Sequence, residues 1–292
     1  MLLRTFLLIL ISLGFFIETS NAKVIKTTDA SVIRQEVLKL TKDDLVTFDV
    51  KGVIFSAKDQ ILMHEFVPKY KQYIEVIKAQ KGEDEAKRLD GIVLLNYEPM
   101  LVDEDIPEII KAIQHNGTKV IALTGGYTGA IGEIKSREDL RVKTLKNLGV
   151  DFSSSFLVPM VKFDSMIEKD SNKPVPLYKN GVLFTARHSK GVVLKSFLEK
   201  VEFKPKKLIH IDNSIKKIRE VEKFAHEAGI DYLGIHYVKI HENYPQEFDQ
   251  QLADKKFEVL VEQNLWVSDR VAKCIISTNF AVEKCSAKGL VR

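Results

Sequence analysis

The chain has 292 residues and a formal net charge of +4, with 45% hydrophobic and 29% charged residues. This balance supports a folded core and excludes an intrinsically disordered chain, and the length fits one large domain or a core with an inserted cap. Lysine and glutamate alternate along most of the sequence without a basic stripe interleaved with aromatic residues, so nucleic acid is not expected as a partner.

The N-terminal segment predicts a secretory signal peptide over residues 1–22. Arg4 precedes a hydrophobic run at 6–17, and small residues occupy the last and third-last positions before a predicted cleavage after Ala22. The run is shorter than the roughly 20 residues that a membrane-spanning helix requires, and a retained membrane anchor is the alternative interpretation. Cleavage would leave residues 23–292 as a single exported domain, periplasmic or secreted, without a membrane span.

Hydrophobic periodicity predicts the following elements in chain order. They are an amphipathic helix at 29–40, a buried strand at 45–55, a helical region at 57–88, a helix at 106–117, a second buried strand at 118–126, a helix at 137–152, a hairpin at 176–184 with the tight-turn pair Asn180-Gly181, a helix at 190–201, a third strand at 205–214, a helix at 215–230, a fourth strand at 231–238 and a helical tail from Tyr244.

Alternating strands and helices at this spacing predict an α/β fold built on a Rossmann-like parallel sheet with crossover helices. The strand at 45–55 is apolar enough for burial on both faces, as in a parallel sheet. Two small cap insertions are expected. One is a helical insert over about 57–101, and the other covers about 126–185 and contains the hairpin.

Three of the predicted strands end on a polar residue: Asp49, Thr124 and Asp212. Lys190 begins the helix that precedes the last of these strands. Because the carboxyl ends of parallel strands meet at one edge of a sheet, we expect the four side chains to converge there. An aspartate can attack phosphorus, a hydroxyl can bind a phosphoryl oxygen, and a lysine can neutralise the transferring oxygens. Two carboxylates also suit Mg²⁺. The residues therefore predict a phosphoryl-transfer site.

Four segments in this order resemble the four motifs of the haloacid-dehalogenase-like (HAD) superfamily. They are FDVKGVIF, VIALTGG, HSKGVVL and LIHIDNS, and the resemblance covers residues 45–238. Within the superfamily the chain is most similar to a family of exported bacterial proteins of unknown function, on segments such as LKNLGVDFS and GIDYLGIHYV. The resemblance implies a Rossmann-like core with cap insertions and a Mg²⁺-dependent phosphatase activity.

The resemblance also assigns roles to individual residues. Asp49 matches the nucleophile, and Lys190 matches the lysine of the third motif, which is both catalytic and phosphate-binding. Thr124, with Gly125 after it, matches the phosphate-binding hydroxyl position. The implied metal ligands are the side chains of Asp49, Asp212 and Asn213 and the backbone carbonyl of Lys51.

Two positions depart from the motif pattern. Phosphatases of the superfamily carry a second aspartate two residues after the nucleophile, where it acts as general acid and base, and this chain has Lys51 there. An ammonium neutralises charge but is a poor base for water, so the change is expected to cost about 10² to 10⁴ in rate. The second departure is Asn213, which follows Asp212 where two acids are usual. Both changes reduce the negative charge around a bound cation.

Two functional hypotheses follow. The first is an exported phosphatase-type hydrolase that acts on a small phosphorylated molecule, with activity reduced or altered by Lys51. The alternative is a non-catalytic descendant that uses the inherited pocket to bind a phosphorylated ligand or a protein partner. Asp49, Thr124 and Asp212 favour the first hypothesis, whereas Lys51 favours the second.

The two cysteines, Cys274 and Cys285, lie close together near the C-terminus. In an oxidising compartment such a pair can form a disulfide, and the alternative is two buried thiols. Sequence alone leaves both open, because a disulfide requires that the two Cβ atoms meet.

Overall fold

The computed structural model describes residues 23–166, 174–243, 245 and 247–287, so the predicted signal peptide at 1–22 lies outside the described residues. Within that part of the chain, no helix has both the length and the hydrophobicity needed to cross a bilayer.

The described residues form ten strands and ten α-helices. The strands are β1 Lys23–Thr27, β2 Leu45–Phe48, β3 Phe55–Ala57, β4 Pro99–Leu101, β5 Lys119–Thr124, β6 Met160–Lys162, β7 Leu177–Lys179, β8 Val182–Phe184, β9 Lys207–Asp212 and β10 Asp231–Tyr237. The helices are α1 Ala30–Val37, α2 Val67–Lys81, α3 Glu83–Asn96, α4 Ile106–His115, α5 Arg137–Asn147, α6 Lys190–Lys200, α7 Ile215–Glu227, α8 Gln250–Gln263, α9 Asp269–Thr278 and α10 Val282–Ala287.

Eight strands form the central sheet in the order β1-β10-β9-β2-β5-β8-β7-β6. The pairs from β1 to β8 are parallel, and β7 and β6 are added in antiparallel orientation. This mostly parallel sheet confirms the predicted α/β fold class. The edge strand β1 was not predicted, because its five residues directly follow the expected cleavage point and show little hydrophobic periodicity.

Helices cover both faces of the sheet because its central strands are hydrophobic on both sides. Alternating residues of β2 point to opposite faces, so Val46 and Phe48 join one core with α1 and α4, whereas Leu45 joins the other core with α6 and α7. The sheet thus forms the middle layer of an α/β/α sandwich.

The strand order places β2 between β5 and β9. Phe48 of β2 is in register with Ala122 of β5 on one side and with Ile211 of β9 on the other. After β2 the chain continues to strands on one side of it and then crosses to β9 on the other. Such a switch point leaves a crevice at the carboxyl ends of the strands, where open α/β sheets bind ligands.

A helical hairpin is inserted between β3 and β4, which pair with each other as a small antiparallel sheet. The sequence predicts continuous helical character over 57–88, whereas the structure has two helices, α2 and α3, with Gly82 between them. Glycine is a weak helix former, which favours an interruption at this point. The apolar side of the hairpin packs on the C-terminal helix α8 through residues such as Leu89 and Phe257.

The strands β7 and β8 form a hairpin whose turn is Asn180-Gly181, with φ of 48° and 84°. Two positive φ values are those of a type I′ turn, which suits the twist of paired strands. A side chain at Gly181 would meet the carbonyl carbon of Phe152 at 2.3 Å, so this position also requires glycine for space. Because β8 pairs with β5, the hairpin extends the central sheet and is not a separate layer.

The C-terminal helices are held by a disulfide and by a buried ion cluster. Cys274 and Cys285 form the disulfide, with their Cα atoms 5.8 Å apart, so of the two alternatives the structure contains the bonded pair. In the ion cluster, Lys256 Nζ of α8 lies 2.6 Å from Asp59 Oδ1 and 2.6 Å from Asp269 Oδ1. Trp266 Nε1 donates a hydrogen bond to Asp59 Oδ2 at 3.0 Å.

We expect Lys256→Met to lower the free energy of unfolding by about 3–5 kcal/mol, because it leaves the Asp59 carboxylate buried without a cation. Urea unfolding at pH 7 measures the loss. The matched control is Lys255→Met at the next position of α8, where the lysine pairs with Glu258 on the partly exposed surface. The control is expected to cost about 0.3–0.5 kcal/mol. Equal losses in the two variants would contradict a structural role for the buried cluster.

Candidate active site

The side chains predicted to converge do lie together at the carboxyl edge of the sheet. Asp49 directly follows β2, Thr124 ends β5, Asp212 ends β9 and Lys190 begins α6. All four line one cavity of about 510 Å³, here called the main cavity. The neighbours Lys51, Gly125 and Asn213 also line it.

Lys190 bridges the two aspartates. Its Nζ lies 2.5 Å from Asp49 Oδ1 and 2.6 Å from Asp212 Oδ2, and its side chain is only 2% exposed. The three residues are called the buried triad below. The start of α6 is fixed by α7, because the backbone N–H of Lys190 donates a hydrogen bond to Glu220 Oε2 at 2.9 Å. One cation between two carboxylates leaves the triad with a net negative charge when both aspartates are ionised.

The two aspartates of the triad differ in pKa because their surroundings differ. Burial raises the pKa of Asp49 to about 6, with Lys190 opposing the shift. Burial also acts to raise the pKa of Asp212, but the Lys190 ammonium and the hydrogen bond from His210 hold that pKa below its usual range. For Lys190 itself burial favours the neutral amine, and the two carboxylates outweigh it and raise its pKa. Asp212 is therefore the firmly ionised member of the pair.

Asp212 is oriented by its own strand and by the next helix. The backbone N–H of Ser214 donates to Asp212 Oδ1 at 2.8 Å. His210 Nε2 lies 3.2 Å from Asp212 Oδ2, and His210 Nδ1 lies 2.8 Å from Thr47 Oγ1. Because a carboxylate only accepts, Nε2 carries the proton and Nδ1 accepts from the Thr47 hydroxyl. The sequence pattern did not indicate His210 as a site residue, although its position two residues before Asp212 places both on one face of β9.

The turn after Asp49 packs directly on Asn213. Gly52 has a φ of +99°, and a Cβ at this position would lie 2.5 Å from Asn213 Nδ2. Glycine is therefore required both for the turn and for the close approach. Among the described residues, no group of three or more histidine, cysteine, aspartate or glutamate side chains could hold a metal ion. The oxygen donors around the triad come from the two aspartates, Asn213 and nearby backbone.

Thr124 and the loop after β5 lie at the wall of the main cavity. The backbone N–H of Gly126 donates to Thr124 Oγ1 at 3.2 Å, which leaves the hydroxyl proton of Thr124 free to donate. The backbone carbonyl of Thr124 accepts from the N–H of Thr185 at 2.8 Å, which ties this loop to the segment after β8.

Lys51 extends into a group of positive charges. Burial, together with the nearby charges of Arg141 and Arg187, lowers the pKa of Lys51 to about 8, while Asp90 acts in the opposite direction. Lys51, Arg141 and Arg187, here called the cationic cluster, all line the main cavity and an adjoining cavity of about 220 Å³.

The sequence pattern did not indicate the two arginines of this cluster. Arg141 is on α5 and Arg187 lies just after β8, far apart in sequence. The sequence contained one signal for Arg141. Arg137 precedes it by four residues, so the two arginines lie on the same face of a helix.

The backbone before the cluster is strained. Ala186 and Arg187 both have positive φ, 48° and 72°, which side chains with a Cβ rarely adopt. The conformation is held by hydrogen bonds from the N–H of Ala186 to Gly126 and from the N–H of His188 to Thr185, at 3.2 and 2.8 Å. Such strain is concentrated at functional sites, where the surrounding structure compensates for it.

Several bacterial proteins are similar to the chain. An uncharacterised protein of Rickettsia felis is 24% identical over 256 residues, covering 83% of this chain and 85% of the relative. An uncharacterised protein of Rickettsia conorii is 23% identical over 269 residues, covering 87% and 90%. A Chlamydia pneumoniae protein whose name includes the words outer membrane protein is 28% identical over 123 residues, covering 42% and 43%. No solved structure shows a significant match.

One protein family matches most of the chain. Its sequence pattern, described as a protein of unknown function (DUF2608), matches residues 26–273. The match runs from β1 into α9 and so includes the buried triad and the cationic cluster. The chain therefore belongs to the DUF2608 family.

Proposed function

We propose that this protein is an exported, phosphatase-type hydrolase of the HAD-like kind that acts on a small phosphorylated molecule. The observation that carries the proposal is the buried triad. A lysine is held between two aspartates, 2.5 and 2.6 Å from their oxygens, at the switch point of a parallel sheet. The triad faces a cavity large enough for a small ligand and lined by positive charges, which favour an anion.

Export is supported by three observations. The sequence of residues 1–22 has the pattern of a signal peptide. The Cys274–Cys285 disulfide is typical of proteins in oxidising compartments. The Chlamydia pneumoniae relative has outer membrane protein in its name.

In the proposed reaction Asp49 attacks the phosphorus atom and the ester P–O bond breaks, which gives an aspartyl phosphate and an alcohol whose oxygen takes its proton from water. The Thr124 hydroxyl and the backbone N–H of Gly125, both residues of the cavity wall, would hold phosphoryl oxygens. Lys190 neutralises the charge of the attacking carboxylate and of the transferring group. Water then attacks the aspartyl phosphate, which releases inorganic phosphate and restores the Asp49 carboxylate.

The donor set around the triad fits Mg²⁺ in its chemistry. Mg²⁺ is commonly held by one or two carboxylates, with water and substrate oxygens completing its octahedron. Asp49, Asp212, the side-chain oxygen of Asn213 and the backbone carbonyl of Lys51 would hold it. When bound, the ion would supply positive charge to the phosphoryl oxygens.

Lys51 explains why turnover should be slow. A group with a pKa of about 8 is mostly protonated at pH 7, so Lys51 can neutralise the leaving oxygen but is a poor base for the attacking water. This residue also favours a second candidate function, in which the cavity binds a phosphorylated ligand without hydrolysing it. Binding needs the cations and Thr124 but not a general base.

The test is phosphate release by residues 23–292 from a panel of phosphomonoesters with Mg²⁺. We expect slow release by the wild type and none by Asp49→Asn, because an amide cannot act as the nucleophile. Asp105→Asn, at an exposed carboxylate outside the cavity, is the matched control and should retain the wild-type rate.

Thermal unfolding of each variant with and without inorganic phosphate separates the two functions. A ligand that binds the native state must stabilise it. If inorganic phosphate stabilises the wild type but the wild type releases no phosphate from the esters, the result would support the binding function and reject the hydrolase. Phosphate release that persists in Asp49→Asn would reject the assignment of Asp49 as the nucleophile.

A further inference from the structure

The main cavity contains more positive charge than one phosphoryl group requires. Its lining includes seven basic side chains and three carboxylates, those of Asp49, Asp90 and Asp212. The basic residues are Lys51, Lys71, Arg137, Arg141, Arg187, Lys190 and Lys217. Several of these side chains already contact other protein groups, and only the remaining cations can contribute fully to binding a ligand.

Three of the cations interact with neighbouring protein groups. Lys190 is neutralised within the buried triad. Lys217 pairs with Glu220 of the same helix at 2.8 Å. Arg137 donates a hydrogen bond to the carbonyl of Thr128 and lies 5.3 Å from the ring centre of Tyr127. Each of these contacts uses protein groups alone.

The cationic cluster is different. Within the described ranges, Lys51, Arg141 and Arg187 form no ion pair with a carboxylate, although Asp90 lines the same two cavities and acts on Lys51 together with both arginines. Lys51 and Arg141 are half-buried and Arg187 is exposed, so their charges are only partly removed from water. One carboxylate cannot balance three cations, so the cluster favours an anionic ligand.

The two arginines are also held in place before any ligand arrives. The Arg141 guanidinium lies 4.8 Å from the ring centre of Phe55 and donates to the Tyr97 hydroxyl at 3.4 Å. The Arg187 guanidinium lies 5.0 Å from the ring centre of Tyr127. Aromatic platforms of this kind restrict the side chains and leave the planar N–H groups available for paired hydrogen bonds to an oxyanion.

The cluster lies next to the triad and does not coincide with it. Lys51 is two residues from Asp49, and all three cations line both the main cavity and the adjoining 220 Å³ cavity, whereas Asp49, Lys190 and Asp212 line the main cavity alone. A ligand can therefore place one group at the triad and a second group at the cluster.

We propose that Lys51, Arg141 and Arg187 form a second anion-binding subsite, and that the ligand is a small molecule carrying two phosphate groups. Three positive charges suit the dianion of a phosphate better than the single charge of a carboxylate, and arginine pairs bind phosphate oxygens in bidentate fashion. The inference rests on the proposed function, because it assigns the other phosphate to the triad. It also gives Lys51 a role as a specificity residue.

The test compares matched ligands by calorimetry with the Asp49→Asn form of residues 23–292, which cannot turn over the probe. The probes are the bisphosphates of 1,3-propanediol, 1,4-butanediol and 1,6-hexanediol, each with its monophosphate. We expect at least one bisphosphate to bind about tenfold or more tightly than its monophosphate, as one additional charge-assisted interaction would provide. Arg141→Gln and Arg187→Gln should weaken bisphosphate binding more than monophosphate binding, so that the advantage falls to about twofold or less.

Arg219→Gln is the matched control, because Arg219 is an exposed arginine on α7 that pairs with Glu222 outside both cavities. It should preserve the bisphosphate advantage. Equal affinities for bisphosphates and monophosphates, or equal losses for both ligands in the two arginine variants, would overturn the subsite.

The experiment distinguishes a failure of the subsite from a failure of the hydrolase. An arginine-dependent bisphosphate advantage in a protein that releases no phosphate would support the subsite and reject the hydrolase. Phosphate release without tighter binding of any bisphosphate would support the hydrolase and reject the subsite.

Discussion

Lys51→Asp is expected to raise the rate of phosphate release by about 10² to 10⁴, because it supplies the general acid and base that the wild-type site lacks. Lys51 is two residues beyond Asp49 and lines the same cavity. A carboxyl group there can protonate the leaving oxygen and then take a proton from the water that attacks the aspartyl phosphate. The measurement is kcat for phosphate release from a monophosphate at saturating substrate.

Two companion variants isolate the cause of such a gain. Lys51→Met removes the cation without adding a proton carrier, so it should leave kcat within a few fold of the wild type. The double variant Asp49→Asn with Lys51→Asp should be inactive, since the added carboxylate acts only through the nucleophile. An equal gain in Lys51→Met would show that the positive charge, and not the missing base, limits the wild type. No gain in Lys51→Asp would reject the assignment of position 51 to proton transfer.

Lys190→Met should both abolish phosphate release and destabilise the protein by about 3–5 kcal/mol at pH 7. The change removes the one cation that lies between Asp49 and Asp212, and the two buried carboxylates then face each other without compensation. Urea unfolding of the variant measures the loss. Lys195→Met is the matched control, because Lys195 is an exposed residue of the same helix, and its effect should stay within about 0.5 kcal/mol.

The pH dependence of this loss has a defined sign. In the wild type the pKa of Asp212 is lowered, so its contribution to stability is present above the unfolded value of about 3.8 and is lost as the pH falls. Without Lys190, burial and mutual repulsion raise the pKa of both carboxyls above their unfolded values. Protonation then favours the folded state, so the deficit of Lys190→Met should shrink as the pH is lowered from 7 to 5.

A rescue experiment completes this test. Asp49→Asn in the Lys190→Met background removes one of the two unpaired charges and should recover part of the lost stability. A deficit that is independent of pH and is not reduced by Asp49→Asn would mean that Lys190 stabilises the fold through its hydrocarbon chain and not through its charge.

Under the proposed function, the triad and the cationic cluster distinguish this protein from a phosphatase that carries a carboxyl group at position 51. The position that usually carries the acid and base is occupied by a cation that groups with Arg141 and Arg187. Rate would thus be reduced while affinity for a doubly phosphorylated ligand is gained. The two experiments on Lys51 and on the arginines examine these two effects separately.

Much of the fold could be predicted from local pattern. The runs that became β2, β5 and β9 are hydrophobic without interruption and end on Asp49, Thr124 and Asp212, and this local property is sufficient to predict buried parallel strands with polar carboxyl ends. The helical spacing of hydrophobic residues and the glycines that end helices are equally local properties of the sequence. These signals depend on a few neighbouring residues, so they can be read without knowing the strand order.

Contacts between distant segments could not be predicted in this way. The ion pairs of Lys190 with both aspartates depend on β2 lying between β5 and β9, and the grouping of Lys51 with Arg141 and Arg187 depends on how α5 and the loop after β8 pack. The same holds for Lys256 with Asp59 and for the Cys274–Cys285 bond. Hydrophobic periodicity specifies which face of each element is buried, whereas the partner of a buried charge is set by the packing of elements that are far apart in the chain.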